Sequence, residues 1–84
     1  MTLDEQVEKI QSQQDFILFV KALAEDFKQN TDQWENQNIS AYLETIGAWV
    51  ADMDGYYTNM GQLPPQNPSW RLFGQILLAA KFYE

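Results

Sequence analysis

Residues 39–60 read ISAYLETIGAWVADMDGYYTNM, and this stretch decides the fold. At 100° per residue, its large apolar side chains fall within an arc of about 120°, which is the pattern of an amphipathic α-helix. They are Ile39, Tyr42, Leu43, Ile46, Trp49, Val50, Met53, Tyr57 and Met60. Gly61 follows at once, and glycine is typical of a helix stop. The stretch therefore predicts one long helix with one apolar face.

Three more helices are predicted around this one. Residues 2–5 fit a capping box and start a short helix that ends near Gln11. Ser12 caps a second helix that continues to about Gln29. After a connector over residues 62–67, Asn67 as N-cap and Pro68 at the first helical position start a fourth. We expect an all-α fold, a compact bundle of four helices, one short and N-terminal and three longer, in a single domain over residues 1–84.

The flanking helices also have predicted core faces. The second helix repeats apolar residues at helical spacing, namely Phe16, Val20, Leu23 and Phe27. The main face of the fourth holds Trp70, Phe73, Ile76, Leu77 and Ala80. Leu18, Leu78 and Phe82 are then left on outer faces. Leu78 and Phe82 are four residues apart, so their side chains can meet. Exposed together, they would form an apolar patch suited to a homodimer.

Composition excludes several classes of function. The 84 residues include no cysteine and no histidine, which removes disulfides, thiolate chemistry and the commonest general base and metal ligand. A formal net charge of −7 repels nucleic acid. The acidic N-terminus does not resemble a secretory signal, and no apolar run is long enough for a membrane span. We expect a cytoplasmic protein without a cofactor, which is not an enzyme and binds neither nucleic acid nor membranes.

The negative charge is concentrated in the middle of the chain. No lysine or arginine occurs between Lys28 and Arg71, whereas five acidic residues do. The predicted binding residues come from this stretch: Glu44, Asp52, Asp54, Tyr56, Trp34 and Glu35. The first three point outward on the helical wheel, and Tyr56 lies at the margin of the apolar arc. Glu35 is expected to be partly shielded near the start of the third helix, where a carboxylate favours the helix dipole.

Asp52 and its neighbours resemble the beginning of a calcium loop, but the pattern breaks. Counted from Asp52, glycine comes at position 4 rather than 6, and Tyr56 and Leu63 stand where oxygen ligands are required. Carboxylates that point into solvent also make poor general acids. The sequence therefore predicts no metal site and no catalytic residue.

A ridge of small residues lies on the back of the third helix. Gly47, Ala51 and Gly55 are spaced four apart, and each glycine inside a helix costs about 1 kcal/mol relative to alanine. Such a cost suggests close approach of another backbone. The favoured interpretation is that the first or fourth helix of the domain packs there, and the alternative is a helix or loop of a partner.

Four segments together resemble a family of small bacterial proteins of unknown function. They are Trp34-Glu35-Asn36 and residues 49–57, 68–70 and 79–84, in an order and spacing shared with that family. The similarity covers roughly residues 15–84. It implies a bacterial origin and a compact helical fold, and it implies no activity that could be assigned to a residue.

These observations favour a binding module. The first hypothesis is a protein that presents its acidic middle to a basic protein partner, as an immunity or antitoxin-type inhibitor of a basic nuclease toxin would. The second is a homo-oligomeric structural or scaffolding domain, based on Leu78, Phe82 and the small-residue ridge. A small apolar ligand held between helices is a further alternative.

Overall fold

The computed structural model describes residues 1–63 and 67–83, and within them the fold is all-α. Helix α1 spans Leu3–Glu8, α2 spans Gln13–Gln29, α3 spans Ile39–Asn59 and α4 spans Trp70–Phe82. One 3-10 turn, Thr31–Gln33, follows α2. The predicted bundle of one short and three longer helices is confirmed. The connector prediction at residues 64–66 lies outside the described residues.

Each helix begins with a side-chain cap. The cap oxygens accept a backbone N–H three residues on, at 2.8–3.1 Å, and belong to Thr2, Ser12, Asn38 and Ser69. The caps at Thr2 and Ser12 are as predicted. The predicted start of the fourth helix at Asn67 and Pro68 is wrong, because extended Ser69 supplies the cap and Pro68 lies before it.

Helix α1 also ends earlier than the sequence predicts. The amides of Lys9 and Ile10 donate to the carbonyls three residues before them, at 3.1 and 3.3 Å, which tightens the last turn. Helix α3 ends at Asn59 with Met60 as its C-cap, just before Gly61, the glycine expected to stop it. This glycine has a φ of +72°, and the next amide, that of Gln62, donates back to the Tyr57 carbonyl at 2.9 Å.

Helix α4 is the centre of the bundle. It contacts α1, α2 and α3, whereas α3 packs on no other described helix. The hydroxyl of Tyr42 on α3 donates to the Leu77 carbonyl of α4 at 2.7 Å, and burial raises the pKa of Tyr42 to about 12. The main core cluster consists of Val7, Ile10, Phe19, Leu23, Trp34 and Leu78. Because α3 rests on a single neighbour, much of its surface is left open.

The buried side of α2 differs from the predicted core face, because it centres on Phe19 and Leu23 rather than on Val20. Phe19 is completely buried and Leu23 is buried, whereas Val20 is exposed. Phe16 and Phe27 lie half-buried at the edge of the core. Leu18 is exposed, as expected.

The prediction that Leu78 faces outward is wrong. Leu78 is buried in the core, and Trp70 and Phe73, predicted as core residues, are exposed. Phe82 is exposed as predicted. Since neighbours cover α4 on several sides, a single inward face does not describe it. The predicted homodimer patch cannot include Leu78.

Close packing of α1 on α4 depends on a glycine. A Cβ at Gly74 would lie 2.6 Å from Cδ1 of Ile10 and 3.2 Å from Cγ2 of Val7. Ile10 is fully enclosed, so its side chain has little room to move. Gly74 therefore sets the distance between the two helices. None of the described helices is both long and apolar enough to cross a membrane.

Candidate functional site

One flank of α3 is apolar and open to solvent. Ile39 is 72% exposed, Leu43 58% and Val50 41%. They lie on one side of the helix, rotated away from Tyr42 and Thr45, which face the interior. We call Ile39, Leu43 and Val50, with the exposed carboxylates of Glu44 and Asp54, the open face of α3. An exposed apolar strip of this kind is typical of an interaction site.

The acidic side chains of α3 point outward, as the helical wheel predicts. Glu44, Asp52 and Asp54 are all exposed. Asp52 accepts a short hydrogen bond from the hydroxyl of Tyr83, and this bond raises the pKa of that tyrosine. The contact joins the C-terminal end of α4 to the middle of α3. Glu44 and Asp54 are exposed and form no ion pair with a described residue.

Tyr56 is exposed, at the margin predicted for it, and belongs to an aromatic row. Its ring centroid lies 6.0 Å from that of Trp49 and 5.3 Å from that of Tyr57, with the two tyrosines edge to face. The rings of Trp49 and Tyr57 are half-buried. Together, the three rings form one wall of a surface cleft.

This cleft, the α1/α3 cleft, has a volume of 590 Å³. Asp4 and Glu8 line it from α1, and Gln75 and Phe82 line it from α4. The Glu8 carboxylate accepts from the Gln75 side chain at 3.4 Å. Burial, and then the neighbouring Tyr56 and Glu8, raise the pKa of Tyr57. The cleft thus brings two carboxylates of α1 opposite the aromatic row of α3. The sequence analysis missed this juxtaposition because these residues are more than 40 positions apart in the chain.

Two of the predicted binding residues, Trp34 and Glu35, lie before α3 and do not line the α1/α3 cleft. Trp34 is buried, and its indole N–H donates to Asp26 Oδ2 at 2.8 Å. Glu35 is exposed, so the expectation of a partly shielded carboxylate is wrong. Because α3 begins at Ile39 with Asn38 as its cap, Glu35 also lies before that helix. Its amide donates to the Lys81 carbonyl at 3.0 Å.

The Trp34-Glu35-Asn36 motif instead closes the end of α4. The side-chain amide of Asn36 donates at 2.9 Å to the backbone carbonyls of both Ala80 and Tyr83. With the Glu35 amide, it satisfies carbonyls that the last turn of a helix leaves without intrahelical partners. The motif is therefore structural, and it fixes the α2–α3 connection against the C-terminal end of α4.

A charge pair that the sequence analysis missed lies under this connection. Lys81 Nζ is 2.8 Å from Asp26 Oδ2, and the two side chains are 7% and 19% exposed. The Asn30 side chain donates to the other carboxylate oxygen at 3.1 Å. The Lys81 ammonium, first of all, holds the pKa of Asp26 below its ordinary value of 3.8. The positive charge of Lys81 is thus matched internally and does little to offset the acidic surface.

The small-residue ridge is open. A Cβ at Gly47 or Gly55 would find no atom of another described segment within 4 Å, and Ala51 is exposed. The favoured interpretation, that a helix of the same domain packs there, is wrong. Among residues 1–63 and 67–83, no three carboxylates lie close enough together to hold a metal ion.

Comparison with known proteins gives a family and nothing more specific. A family described as Family of unknown function (DUF7660) matches residues 12–84. The match spans α2, α3 and α4 and leaves α1 outside. No curated protein and no solved structure gives a significant match to the chain.

Proposed function

Since the chain belongs to a family of unknown function (DUF7660), we propose its role from the chemistry of its surface. It is a non-enzymatic protein-binding module that presents the open face of α3 to a basic protein partner. An immunity or antitoxin-type inhibitor is the kind of protein that this proposal describes.

The supporting observation is that apolar and acidic side chains are exposed together on a helix with one neighbour. Leu43, Val50, Glu44 and Asp54 are all exposed on α3. Asp54 lies one turn after Val50 on the same flank, and Glu44 follows Leu43 in the sequence. Apolar side chains in an interface supply affinity when a partner removes them from water. Carboxylates around them speed the approach of a positively charged surface and disfavour other partners. A basic protein with an apolar centre to its binding site matches both properties.

The charge distribution supports the same partner. No basic residue occurs in α3, and the Lys81 charge of α4 is paired with Asp26. A basic nuclease toxin would be attracted to such a face, and its own nucleic-acid site would be blocked by occupancy of the complementary charges. The inhibitor itself would require no catalytic group.

Partner capture with matched charge variants tests this function. The tagged protein is incubated with lysate of its source organism at low and high salt, and retained proteins are identified by mass spectrometry. Glu44→Lys with Asp54→Lys should weaken binding of the purified partner by about tenfold or more, because two attractive charges become repulsive. Glu25→Lys with Asp32→Lys changes the net charge equally elsewhere and should have a smaller effect.

Equal affinity of the wild type and the Glu44→Lys, Asp54→Lys variant would contradict the proposal. A retained partner that is acidic, or whose binding does not weaken at high salt, would contradict it as well, since exposed charge interactions are screened by salt.

A homo-oligomeric scaffold is the second candidate, and the exposure of Ile39, Leu43 and Val50 favours it. These residues replace the predicted patch that included buried Leu78. Two copies could cover the apolar flank by pairing their α3 helices. Sedimentation velocity at high micromolar concentration should then show a dimer that Leu43→Lys dissociates, whereas a monomer at that concentration would exclude this candidate.

A further inference from the structure

The α1/α3 cleft combines the two groups that recognise an organic cation. One wall holds the rings of Trp49, Tyr56 and Tyr57, with centroid separations of 6.0 and 5.3 Å between neighbours. The faces of tryptophan and tyrosine carry negative quadrupole potential and attract a cation within about 6 Å of the ring centre. Tyr56 is 49% exposed, so part of its ring is available to a ligand.

The opposite wall carries negative charge. Asp4 and Glu8 are one helical turn apart on α1, both are exposed, and both line the cleft. The part of the chain that the structure describes contributes no lysine or arginine to this lining. Lys81 Nζ lies 4.9 Å from the ring centroid of Phe82, which lines the cleft, but Asp26 matches the Lys81 charge. The field inside the cleft is therefore that of two unmatched carboxylates.

The size of the cleft suits a side chain rather than a folded element. Its 590 Å³ falls within the range of about 300–1,000 Å³ that is usual for small-ligand pockets. Val7, Leu78 and Ala79 provide an apolar base, which matches the methylene stem of a long basic side chain.

Arginine fits these walls better than lysine does. A guanidinium is planar, stacks on an aromatic face and donates two parallel hydrogen bonds to one carboxylate. An ammonium is compact and strongly hydrated, and it gains less from the aromatic row. Stacking on Trp49 or Tyr56 while donating to Glu8 or Asp4 uses both walls at once.

We propose that the α1/α3 cleft binds the guanidinium group of an arginine side chain supplied by the basic partner. This inference rests on the proposed function and gives it a specific anchor. Such an anchor makes the cleft the centre of recognition, with the open face of α3 beside it. Arginine is among the residues that most often dominate binding energy at interfaces.

Titration with a minimal probe tests the cleft without the partner. N-acetyl-arginine amide carries one positive charge, and N-acetyl-citrulline amide has nearly the same shape without it. Two-dimensional ¹H–¹⁵N NMR should show saturable shifts of the Trp49 indole N–H and of the amides of Glu8 and Tyr56. The indole signals of Trp34 and Trp70 should move little. The citrulline probe should bind about tenfold more weakly, because the charge-assisted bonds and the cation–π contact are lost.

Variants separate a specific site from general attraction to an acidic protein. Glu8→Gln and Tyr56→Leu should each weaken binding of the arginine probe by about fivefold, since the first removes one of two carboxylates and the second one of three rings. Glu25→Gln removes an exposed acid on α2, outside the cleft, and should leave the affinity unchanged. The dispersion of the NMR spectrum verifies that each variant is folded.

Three results would overturn the inference: equal shifts with the two probes, shifts spread over the surface, or unchanged affinity in Glu8→Gln and Tyr56→Leu. The proposed function is judged separately by partner capture. If partner affinity depends on Glu44 and Asp54 but the arginine probe does not bind the cleft, the inference is wrong and the proposed function is supported. If the arginine probe binds the cleft but partner affinity does not depend on Glu44 and Asp54, the proposed function is wrong and the guanidinium site is supported.

Discussion

Asp26 shows how much one side chain can hold together. Its carboxylate accepts from Lys81 and Trp34 at 2.8 Å and from Asn30 at 3.1 Å. These donors come from α4, from the connection before α3 and from the residue that ends α2. The carboxylate is thus a junction of three chain segments. Removing its charge would leave Lys81 almost completely buried without a counter-ion, which is costly in a protein interior.

Asp26→Asn should lower the free energy of unfolding at pH 7 by about 2–3 kcal/mol. This is at or below the lower end of the usual loss for a broken buried pair, because the Asp26 side chain is 19% exposed. The folded-state pKa of Asp26 is lowered, so the stabilisation is fully present above its ordinary value of 3.8 and disappears as the pH falls through the folded-state pKa. Urea unfolding from pH 7 to pH 2.5 should show wild type and variant converging below about pH 4.

Glu25→Gln provides the matched control. Glu25 pairs with Lys28 at 3.5 Å, and both side chains are more than half exposed. An exposed pair contributes little, so this variant should lose less than about 0.5 kcal/mol at pH 7. Asp26→Asn could instead lose no more unfolding free energy than the control, or lose the same amount at every pH. Either result would contradict the role of the Asp26 carboxylate in joining the three segments.

At the scale of elements, periodicity and caps predicted where helices lie, but not always which side is buried. The caps at Thr2 and Ser12 and the stop at Gly61 follow from local chemistry and were predicted. The arc of α3 spans about 120°. Packing on α4 occupies the side of Tyr42 and Thr45, and it leaves Ile39 and Leu43 exposed. A helical wheel gives the width of an apolar arc and does not say which part of it meets a neighbour.

Gly47 and Gly55, on the open back of α3, should lower the stability of the helix. Gly47→Ala and Gly55→Ala should each raise the free energy of unfolding by about 0.5–1 kcal/mol, because alanine loses less backbone entropy in a helix. Apart from the backbone of α3 itself, no atom of the described residues lies within 4 Å of the added methyl group at either position. Thermal or urea unfolding at low protein concentration measures the gain.

Gly61→Ala is the control for these substitutions. Its methyl group would also meet no neighbour among residues 1–63 and 67–83, but the φ of +72° is unfavourable for alanine. This variant should lose about 1 kcal/mol or more. Destabilisation by Gly47→Ala and Gly55→Ala would mean that the back of α3 is covered. A gain in stability accompanied by weaker partner binding would assign the ridge to the interface.

For the whole molecule, α1 contributes more than its six residues suggest. Val7 and Ile10, on and just after α1, are both buried in the core cluster with Phe19 and Leu78. The sequence predicted the helix from its capping box, but not its docking. Contacts between segments far apart in the chain, such as Asp26 with Lys81 and Ile10 with Gly74, leave no local pattern. They follow from the packing of three helices around α4.

Deletion of residues 1–11 should therefore destabilise the domain severely. Loss of buried Val7 and Ile10 removes about 3–6 kcal/mol of apolar burial, a large part of the 5–15 kcal/mol typical of a domain. Circular dichroism during urea unfolding, with Lys9→Ala as an exposed control on the same segment, measures the effect. A truncated chain as stable as the full one would show that α1 does not belong to the core.

The contact of Gly74 with Ile10 also has an evolutionary consequence. A methyl group at position 74 would lie 2.6 Å from Ile10 Cδ1, so mutation at either position changes what selection tolerates at the other. Homologues with a shorter side chain at position 10 should accept alanine at 74, and the two positions should covary. The family match begins at residue 12, beyond Ile10. Homologues with a different N-terminal segment should not need glycine at position 74. Glycine at this position should therefore indicate which homologues have a first helix packed on α4.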